Sequence, residues 1–447
     1  MECLVLALSS IMAIFLLLSP AADVLADEGG TSDTDSNDNQ KATEEKKPLF
    51  GRYGQWLKHQ EKIALESNLW GASATAPQGY LIGMFGWGTM RPYGRFDNNR
   101  KLAPLLPVLE APDPWGSRGK FFEFDFNIRG RGNAYFLSGM YGITDILMAG
   151  VSTQFVVTEI LLEPQFTPGT IDKIGVASLE DFYRLMEQLG RPRPKTRYTT
   201  DGVDWGDTLL SLTWNYYRID WFSTAVTGNI NVPTCHKADP NKNLIFGLGP
   251  DIDTGYGAWG IGASAPFDFK MPKPISWVTI TLMGEGSYFF PSARKSPHFL
   301  PIDQDVKDYL ESQKVDVDLF QDLTDMNSTY YYTPGPWAAV SLGFGVGPLS
   351  VSYRHGWGWA GEFKSDSPGF KDMVDYIGLV GNGDDGKVTA SLSIPLTPIY
   401  IPALIQGRFQ YVTDGRNIMV FRDQWGAGIG LFVPIAAPER YKMKRGE

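Results

Sequence analysis

The stretch Phe122-Glu123-Phe124-Asp125-Phe126-Asn127-Ile128-Arg129 decides the fold class of this 447-residue chain. Apolar and polar residues alternate along the whole stretch. A period of two places alternate side chains on opposite faces of a β-strand. One face of this strand therefore meets an apolar environment, and the other face meets water.

The same alternation returns throughout the chain, for example at Leu349–Tyr353, Val388–Ile394 and Ile405–Tyr411. Strands of a soluble sandwich are usually shorter than these runs, which approach the roughly 10 residues that cross a membrane at a tilt. We therefore predict an all-β fold, a transmembrane antiparallel β-barrel of about twelve strands, with fourteen as the alternative. The predicted strands are 79–91, 120–141, 146–160, 207–218, 220–232, 255–267, 276–290, 336–347, 349–359, 386–395, 402–412 and 418–433.

The parity of the strands fixes where the chain ends lie. Bacterial barrels have an even number of strands, and residues 120–141 must form one strand for the count to be even. Both termini then lie on the periplasmic side, and the long connections lie outside. One long loop is predicted to carry a helix that Ser178 caps and that Gly190 and Pro192 end, and a second helix is predicted near Asp303 to Gln313.

The alternation also assigns the two faces of the barrel wall. We expect Phe122, Phe124, Phe126 and Ile128 to meet lipid. Aromatic residues near strand ends, such as Trp221, Trp357 and Trp425, are typical of interfacial girdles. The predicted lumen-lining residues are Glu123, Asp125, Asn127, Arg129, Glu285, Arg354 and Arg408.

The N-terminal part of the sequence differs in composition from the predicted barrel at 79–435. Residues 1–26 are typical of a signal peptide, with an uncleaved anchor as the alternative. Residues 27–46 are acidic and predicted to be disordered. Residues 47–78 are predicted to form a periplasmic arm or a plug in the barrel, and the two remain open. A charged tail follows at 436–447.

Composition and motifs argue against several functions. The formal charge of -10 and the absence of a basic stripe disfavour a nucleic-acid partner. Gly255–Gly260 matches the pattern GxGxxG, but no helix follows to hold a pyrophosphate. The four histidines are scattered, and no nucleophile and base stand at a recognisable spacing. We expect no enzyme activity, no metal and no cofactor.

Four short motifs resemble those of a known family. They are Tyr141-Gly142-Ile143-Thr144-Asp145, Gly206-Asp207, Asn231-Val232-Pro233-Thr234 and Thr254-Gly255-Tyr256. The chain is similar in these to the outer-membrane transporter-like proteins of the meta-pathway phenol-degradation family, related in style to channels for fatty acids and aromatic hydrocarbons. Cys235 stands where that family has a glycine.

The resemblance implies a channel for small hydrophobic or aromatic compounds in the cell outer membrane. The polar side chains assigned to the lumen favour instead a narrow pore for polar solutes. A surface protein that acts through loops 161–206 and 291–335, without transport, also remains open. The expected partners are outer-membrane lipid, the barrel-insertion machinery and a small-molecule substrate.

Overall fold

The computed structural model describes residues 71–105, 108–113, 119–188, 193, 196–199, 204–240, 253–295, 304–312, 329–365, 382–396 and 403–436. The predicted signal peptide, the acidic leader, residues 47–70 of the predicted arm or plug, and all but the first residue of the C-terminal tail lie outside the described residues.

Twelve antiparallel strands form one closed sheet, which confirms the predicted fold. Each strand pairs with the next along the chain, and the last pairs with the first. The strands are β1 Tyr80–Phe96, β2 Ile128–Thr144, β3 Leu147–Leu162, β4 Thr208–Arg218, β5 Phe222–Val232, β6 Gly260–Lys270, β7 Val278–Phe289, β8 Trp337–Val346, β9 Leu349–Gly358, β10 Gly383–Pro395, β11 Ala403–Arg416 and β12 Ile418–Pro434.

Closure joins the two ends of the sheet along the full length of β1 and β12. Tyr80 pairs with Pro434 at one end, and Phe96 pairs with Ile418 at the other. Closing the sheet leaves no edge strand with unpaired backbone groups. Both termini of the barrel lie at the end that carries the short turns, as the parity argument predicts. We call this the turn end and the opposite end the loop end.

The predicted single strand at 120–141 is wrong. Lys120–Asp125 pairs with Leu109–Pro112 and Gln165–Pro168 in a separate three-stranded sheet, and the barrel strand β2 begins at Ile128. Asn127 adopts φ of 40°, and its amide donates to the Asp125 carboxylate at 2.9 Å. This turn separates the two strands, so the barrel retains twelve strands.

A compact module packs on this small sheet at the loop end. It includes a 3₁₀ turn at Thr170–Ile174 and helix α1 at Leu179–Gln188. The Ser178 hydroxyl accepts from the Asp181 amide at 3.2 Å, which confirms the predicted N-cap. We call the sheet, the turn and α1 the aromatic module. Its buried residues are Phe121, Phe124, Phe126, Ile171, Val176, Phe182 and Tyr183.

The prediction that Phe122, Phe124, Phe126 and Ile128 face lipid is therefore wrong, because all four lie in this core or pack against it. Phe124 is 2% exposed, and its ring centroid lies 5.2 Å from that of Phe182 on α1. Phe122 also contacts the Phe182 ring, at 5.4 Å. Alternating apolar and polar residues indicate only that one face of a strand is covered. Here helix α1 covers that face.

Smaller elements extend the loop end. A second three-stranded sheet joins Ser292–Lys295, Thr329–Thr333 and Glu362–Lys364. Leu102–Ala103 pairs with β1, and Arg197–Thr199 and Asp204–Trp205 pair with β3. Helix α2 at Gln304–Ser312 confirms the second predicted helix.

The outer surface of the barrel is apolar. On β7, β8 and β9, large apolar side chains at alternate positions are about half exposed, which one expects of a lipid-facing surface and not of a soluble core. These include Leu282, Val340, Leu342, Phe344, Leu349 and Val351. Trp221 and Trp277 lie at the turn end, and Trp357 and Trp359 lie at the loop end. Within the described residues, no helix is long and apolar enough to span a membrane.

Candidate functional site: the barrel lumen

The register of the twelve strands defines one continuous inner face. Residues paired across neighbouring strands point to the same side of a sheet. From Arg354 the pairing passes through Lys387 in one direction, and through Ser341 and Met283 in the other. Around the whole barrel, these register partners lie on the face opposite the apolar outer surface. This inner face bounds the lumen.

A barrel of this size leaves room inside. With strands about 4.8 Å apart and tilted by about 40°, twelve strands enclose a backbone cylinder about 24 Å across. Eight strands already give an interior that side chains just fill. The lumen is therefore wide enough to admit small solutes beside the inner side chains.

One side of the inner face carries paired charges. Arg354 Nε donates to Glu285 Oε1 at 2.7 Å, and Arg354 Nη1 lies 3.3 Å from Asp385 Oδ1. Lys387 is ion-paired with the other oxygen of Asp385. The Arg354 guanidinium also lies 5.3 Å from the centre of the Trp337 ring, a cation–π distance. We call Glu285, Arg354, Asp385 and Lys387 the charged wall; its two cations and two anions balance.

The opposite side, around β1 and β2, is apolar. Its inward side chains include Ile82, Met84, Phe136 and Met140. Phe136 faces the lumen and is nonetheless 46% exposed, so its ring is open to whatever occupies the lumen. A β-carbon built on Gly86 or Gly88 would lie 3.9 Å or 3.5 Å from this ring, which shows that Phe136 leans over β1.

A segment ahead of β1 crosses the inner face at the turn end. Residues 71–78, which we call the inner strap, contact residues on the inner face of β6, β5, β4, β3 and β2. The Ser73 amide donates to Asp268 Oδ2 at 2.6 Å, its hydroxyl donates to Ser223 at 2.7 Å, and its carbonyl accepts from Asn215 at 2.8 Å. Ser73 and Asp268 are fully buried by this arrangement.

Two glycines allow the strap to lie so close to the wall. Gly71 adopts φ of 78°, and a β-carbon there would lie 2.3 Å from the Asp268 carboxyl carbon. A β-carbon at Gly142 would lie 2.0 Å from the Pro77 carbonyl oxygen. The strap therefore packs closely against five of the twelve strands. It narrows the opening of the lumen at the turn end.

The motifs that carry the family resemblance are anchor points in the structure. Asp145 closes the β2–β3 turn and accepts from the Gln78 amide at 3.0 Å, which holds the end of the strap. At the loop end, Asp207 accepts from the Tyr256 amide at 2.7 Å and from the Asn231 amide group at 3.1 Å. Three motifs distant in sequence thus meet at one carboxylate.

Cys235 lies within this loop-end cluster. Burial, followed by the nearby Asp207 carboxylate, raises the pKa of its thiol to about 12. Both effects disfavour the thiolate, which is the reactive form of cysteine. Cys235 is buried within the cluster, as a packing residue is.

The predicted lumen residues fall into two groups. Glu285, Arg354 and Arg408 lie on the inner face. Glu123 and Asp125 do not, because their strand belongs to the aromatic module; Lys120 pairs with Glu123 there, at 2.9 Å. Asn127 lies in the turn that ends that strand. Arg129 is the second residue of β2 and lies on its outward face, where its guanidinium lies 3.5 Å from Glu163.

Several residues of the site escaped the sequence-based prediction. Lys387 and Asp385 complete the charged wall, and Phe136 and Asp268 define the apolar side and the strap contact. Phe136 lies in β2. Because the predicted strand began at residue 120 and not at Ile128, the face on which Phe136 lies was not predicted. Glycines spaced by two, at 86 and 88 and at 426, 428 and 430, were a usable signal of a bare inner surface.

The fold and the lumen define a class of protein. A closed, even-stranded antiparallel barrel with an apolar outer face, charged side chains in its interior, short turns at one end and long loops at the other has the architecture of outer-membrane barrels. Within the described residues, no group of His, Cys, Asp or Glu is arranged to hold a metal ion.

Comparisons with known proteins find structural similarity at low sequence identity. No family model and no curated protein sequence matches the chain. An outer membrane channel from Pseudomonas putida F1 is similar in structure with 11% identity and a TM-score of 0.45, over 81% of this chain and 98% of that one. The Pseudomonas putida toluene transporter TodX shares 11% identity over 80% of this chain and 90% of that one, with a TM-score of 0.28. Sequence identities and TM-scores this low do not indicate a substrate for this chain.

Proposed function

We propose that the protein is an outer-membrane channel for small solutes that have an apolar, in particular an aromatic, body. One observation carries this proposal. The inner face around β1 and β2 is apolar, and Phe136 is exposed to the lumen. A water-filled pore would favour polar side chains at these positions. The family resemblance of the sequence motifs supports the same class of solute.

A channel also needs a path along its axis. The estimated barrel width leaves space between the charged wall and the apolar side, and the inner strap takes up part of the turn-end mouth. Because the ion pairs of the charged wall satisfy one another, this wall forms a polar boundary of low net charge. A solute can therefore pass with its apolar part against β1 and β2 and its polar part toward β7 to β10.

A narrow pore for polar solutes is the second candidate, and the charged wall favours it. Fixed charges in a pore set selectivity among ions and polar molecules. The two candidates differ in the effect of the apolar side. Aromatic uptake needs Phe136 and its neighbours, whereas a polar pore needs only the width and the charges.

Uptake by whole cells separates the two candidates. The full-length protein is expressed in a Gram-negative host that lacks its general porins, and accumulation of a labelled neutral aromatic solute is compared with that of a sugar of similar size. We expect Phe136→Asp to reduce aromatic uptake and leave sugar uptake unchanged or increased. Equal effects on both solutes, in a folded barrel, would support the polar pore. No uptake of either solute would reject a channel.

A further inference from the structure

The inner face between β2 and β11 contains a recess with different chemistry on its two sides. Phe136, Gly86, Gly428 and Gln406 are successive register partners across β2, β1, β12 and β11. The next row toward the loop end is Ala134, Gly88, Gly426 and Arg408. The Phe136 ring therefore lies on one side of the recess, and Arg408 and Gln406 lie on the other.

Bare backbone forms the floor of this recess. The nearest atoms to β-carbons built on Gly426 and Gly428 would be backbone atoms of β1. Among the described residues, no side chain lies nearer to these two positions than this backbone does. Because the Phe136 ring covers β1, the open floor of the recess is β12 together with the gaps between β12 and its two neighbouring strands. Two strand spacings amount to about 9.6 Å, enough for one aromatic ring.

Arg408 gives the recess a charge. Its guanidinium donates to Gln410 Oε1 at 2.8 Å, and within the described part of the chain no carboxylate lies at ion-pairing distance from it. Arg354 and Lys387, the cations of the charged wall, both have carboxylate partners. Arg408 is thus an inward cation whose charge stays available to a solute.

These features select one class of ligand. A guanidinium binds a carboxylate through two parallel hydrogen bonds, and a phenylalanine ring packs against another ring. A neutral hydrocarbon would leave Arg408 without an anionic partner, and an inorganic anion would leave Phe136 and the glycine floor uncovered. We propose that this recess is a binding subsite for small aromatic carboxylates, with the carboxylate at Arg408 and the ring between Phe136 and the backbone of β12.

This inference rests on the proposed channel function and narrows its substrate class. Its test uses sodium benzoate and its neutral counterpart benzamide on the full-length folded protein. Binding is measured by calorimetry in an uncharged detergent, and block of single-channel current is measured in planar bilayers. The variants are Arg408→Gln, Arg408→Lys and Phe136→Leu. Arg416→Gln is the matched control, since it removes the same charge from the same strand at the loop end.

We expect Arg408→Gln to weaken benzoate binding about tenfold, the usual scale of a lost charge-assisted hydrogen bond, and to leave benzamide unchanged. Arg408→Lys should restore most of the benzoate affinity, and Phe136→Leu should weaken both ligands. Arg416→Gln should stay within about twofold of the wild type.

The outcomes distinguish the subsite from the channel. Benzoate binding that is absent from the wild type, or equal in the wild type and Arg408→Gln, overturns the subsite even if current flows. An equal loss in Arg416→Gln overturns it as well, because general charge would then explain the effect. Benzoate binding that depends on Arg408 in a protein without conductance supports the subsite and rejects the channel.

Discussion

The buried carboxylate of Asp268 on β6 accepts a hydrogen bond of 2.6 Å from the backbone amide of Ser73 in the inner strap. The same carboxylate accepts from the Thr281 hydroxyl at 2.5 Å. Asp268 therefore holds the strap to the barrel at the point where the described chain first meets the wall.

We expect Asp268→Ala to release this end of the strap. A buried hydrogen-bond donor left without its acceptor costs about 1–3 kcal/mol, so the strap should populate detached states. Single-channel recordings should show a larger and noisier conductance than the wild type. Ser352→Ala, an inward change on β9 away from the strap, is the control. A quiet conductance of wild-type size in folded Asp268→Ala would contradict a narrowing role.

Deletion of residues 47–75 tests the predicted plug directly. This change removes the strap contacts of Ser73 and Thr75 together with the preceding segment, which lies largely outside the described residues. We expect higher conductance and weaker discrimination among solutes in bilayers. Unchanged conductance in a correctly folded barrel would show that this segment is an arm and not a plug.

Arg408 and Arg354 should contribute differently to ion selectivity. Arg408→Gln removes an unpaired cation and should shift the reversal potential in a salt gradient toward cations. Arg354→Gln should produce a larger shift and a loss of stability, because it leaves Glu285 and Asp385 without their shared partner. Lys364→Gln, on an exposed strand outside the barrel, is the control and should leave the potential unchanged. Shifts of equal size in both variants would mean that the pairing does not matter.

The aromatic module and the barrel should respond separately to mutation. Phe124→Ala removes a buried ring and should cost about 3–5 kcal/mol of module stability. Limited proteolysis should then cleave the module, while the barrel keeps its heat-modifiable migration in gels. Leu282→Arg, on the lipid-facing side of β7, should instead destabilise the barrel by about 2–4 kcal/mol in urea titrations in vesicles. A barrel that unfolds with Phe124→Ala would contradict this division.

Cys235 should resist alkylation at pH 8. With the pKa of the thiol raised from 9.0 to about 12, the fraction present as thiolate falls about a hundredfold to a thousandfold. The rate with iodoacetamide should fall by a similar factor relative to the unfolded chain and rise with pH up to about 12. Rapid labelling of the folded protein would show that the thiol is accessible and ionised.

The sequence predicts the barrel well because alternation and turns are local signals. Strands such as Leu349–Gly358 and the short turn that precedes it are visible in a few neighbouring residues. The pairing of Arg354 with Glu285 is not visible, since these residues are 69 positions apart and β8 lies between their strands. The error at Phe122 to Phe126 has a different cause. Alternation cannot distinguish a face covered by lipid from a face covered by α1.

The aromatic module also constrains how the protein is assembled. Its core combines residues that precede β2, such as Phe124, with residues that follow β3, such as Phe182. In the proposed topology both segments must pass through the membrane before these rings can meet. Because the packed core is wider than the roughly 4.8 Å between neighbouring strands, we expect it to prevent withdrawal of the β2–β3 hairpin through the membrane. A structure outside the membrane would thereby hold the hairpin in its membrane-spanning position.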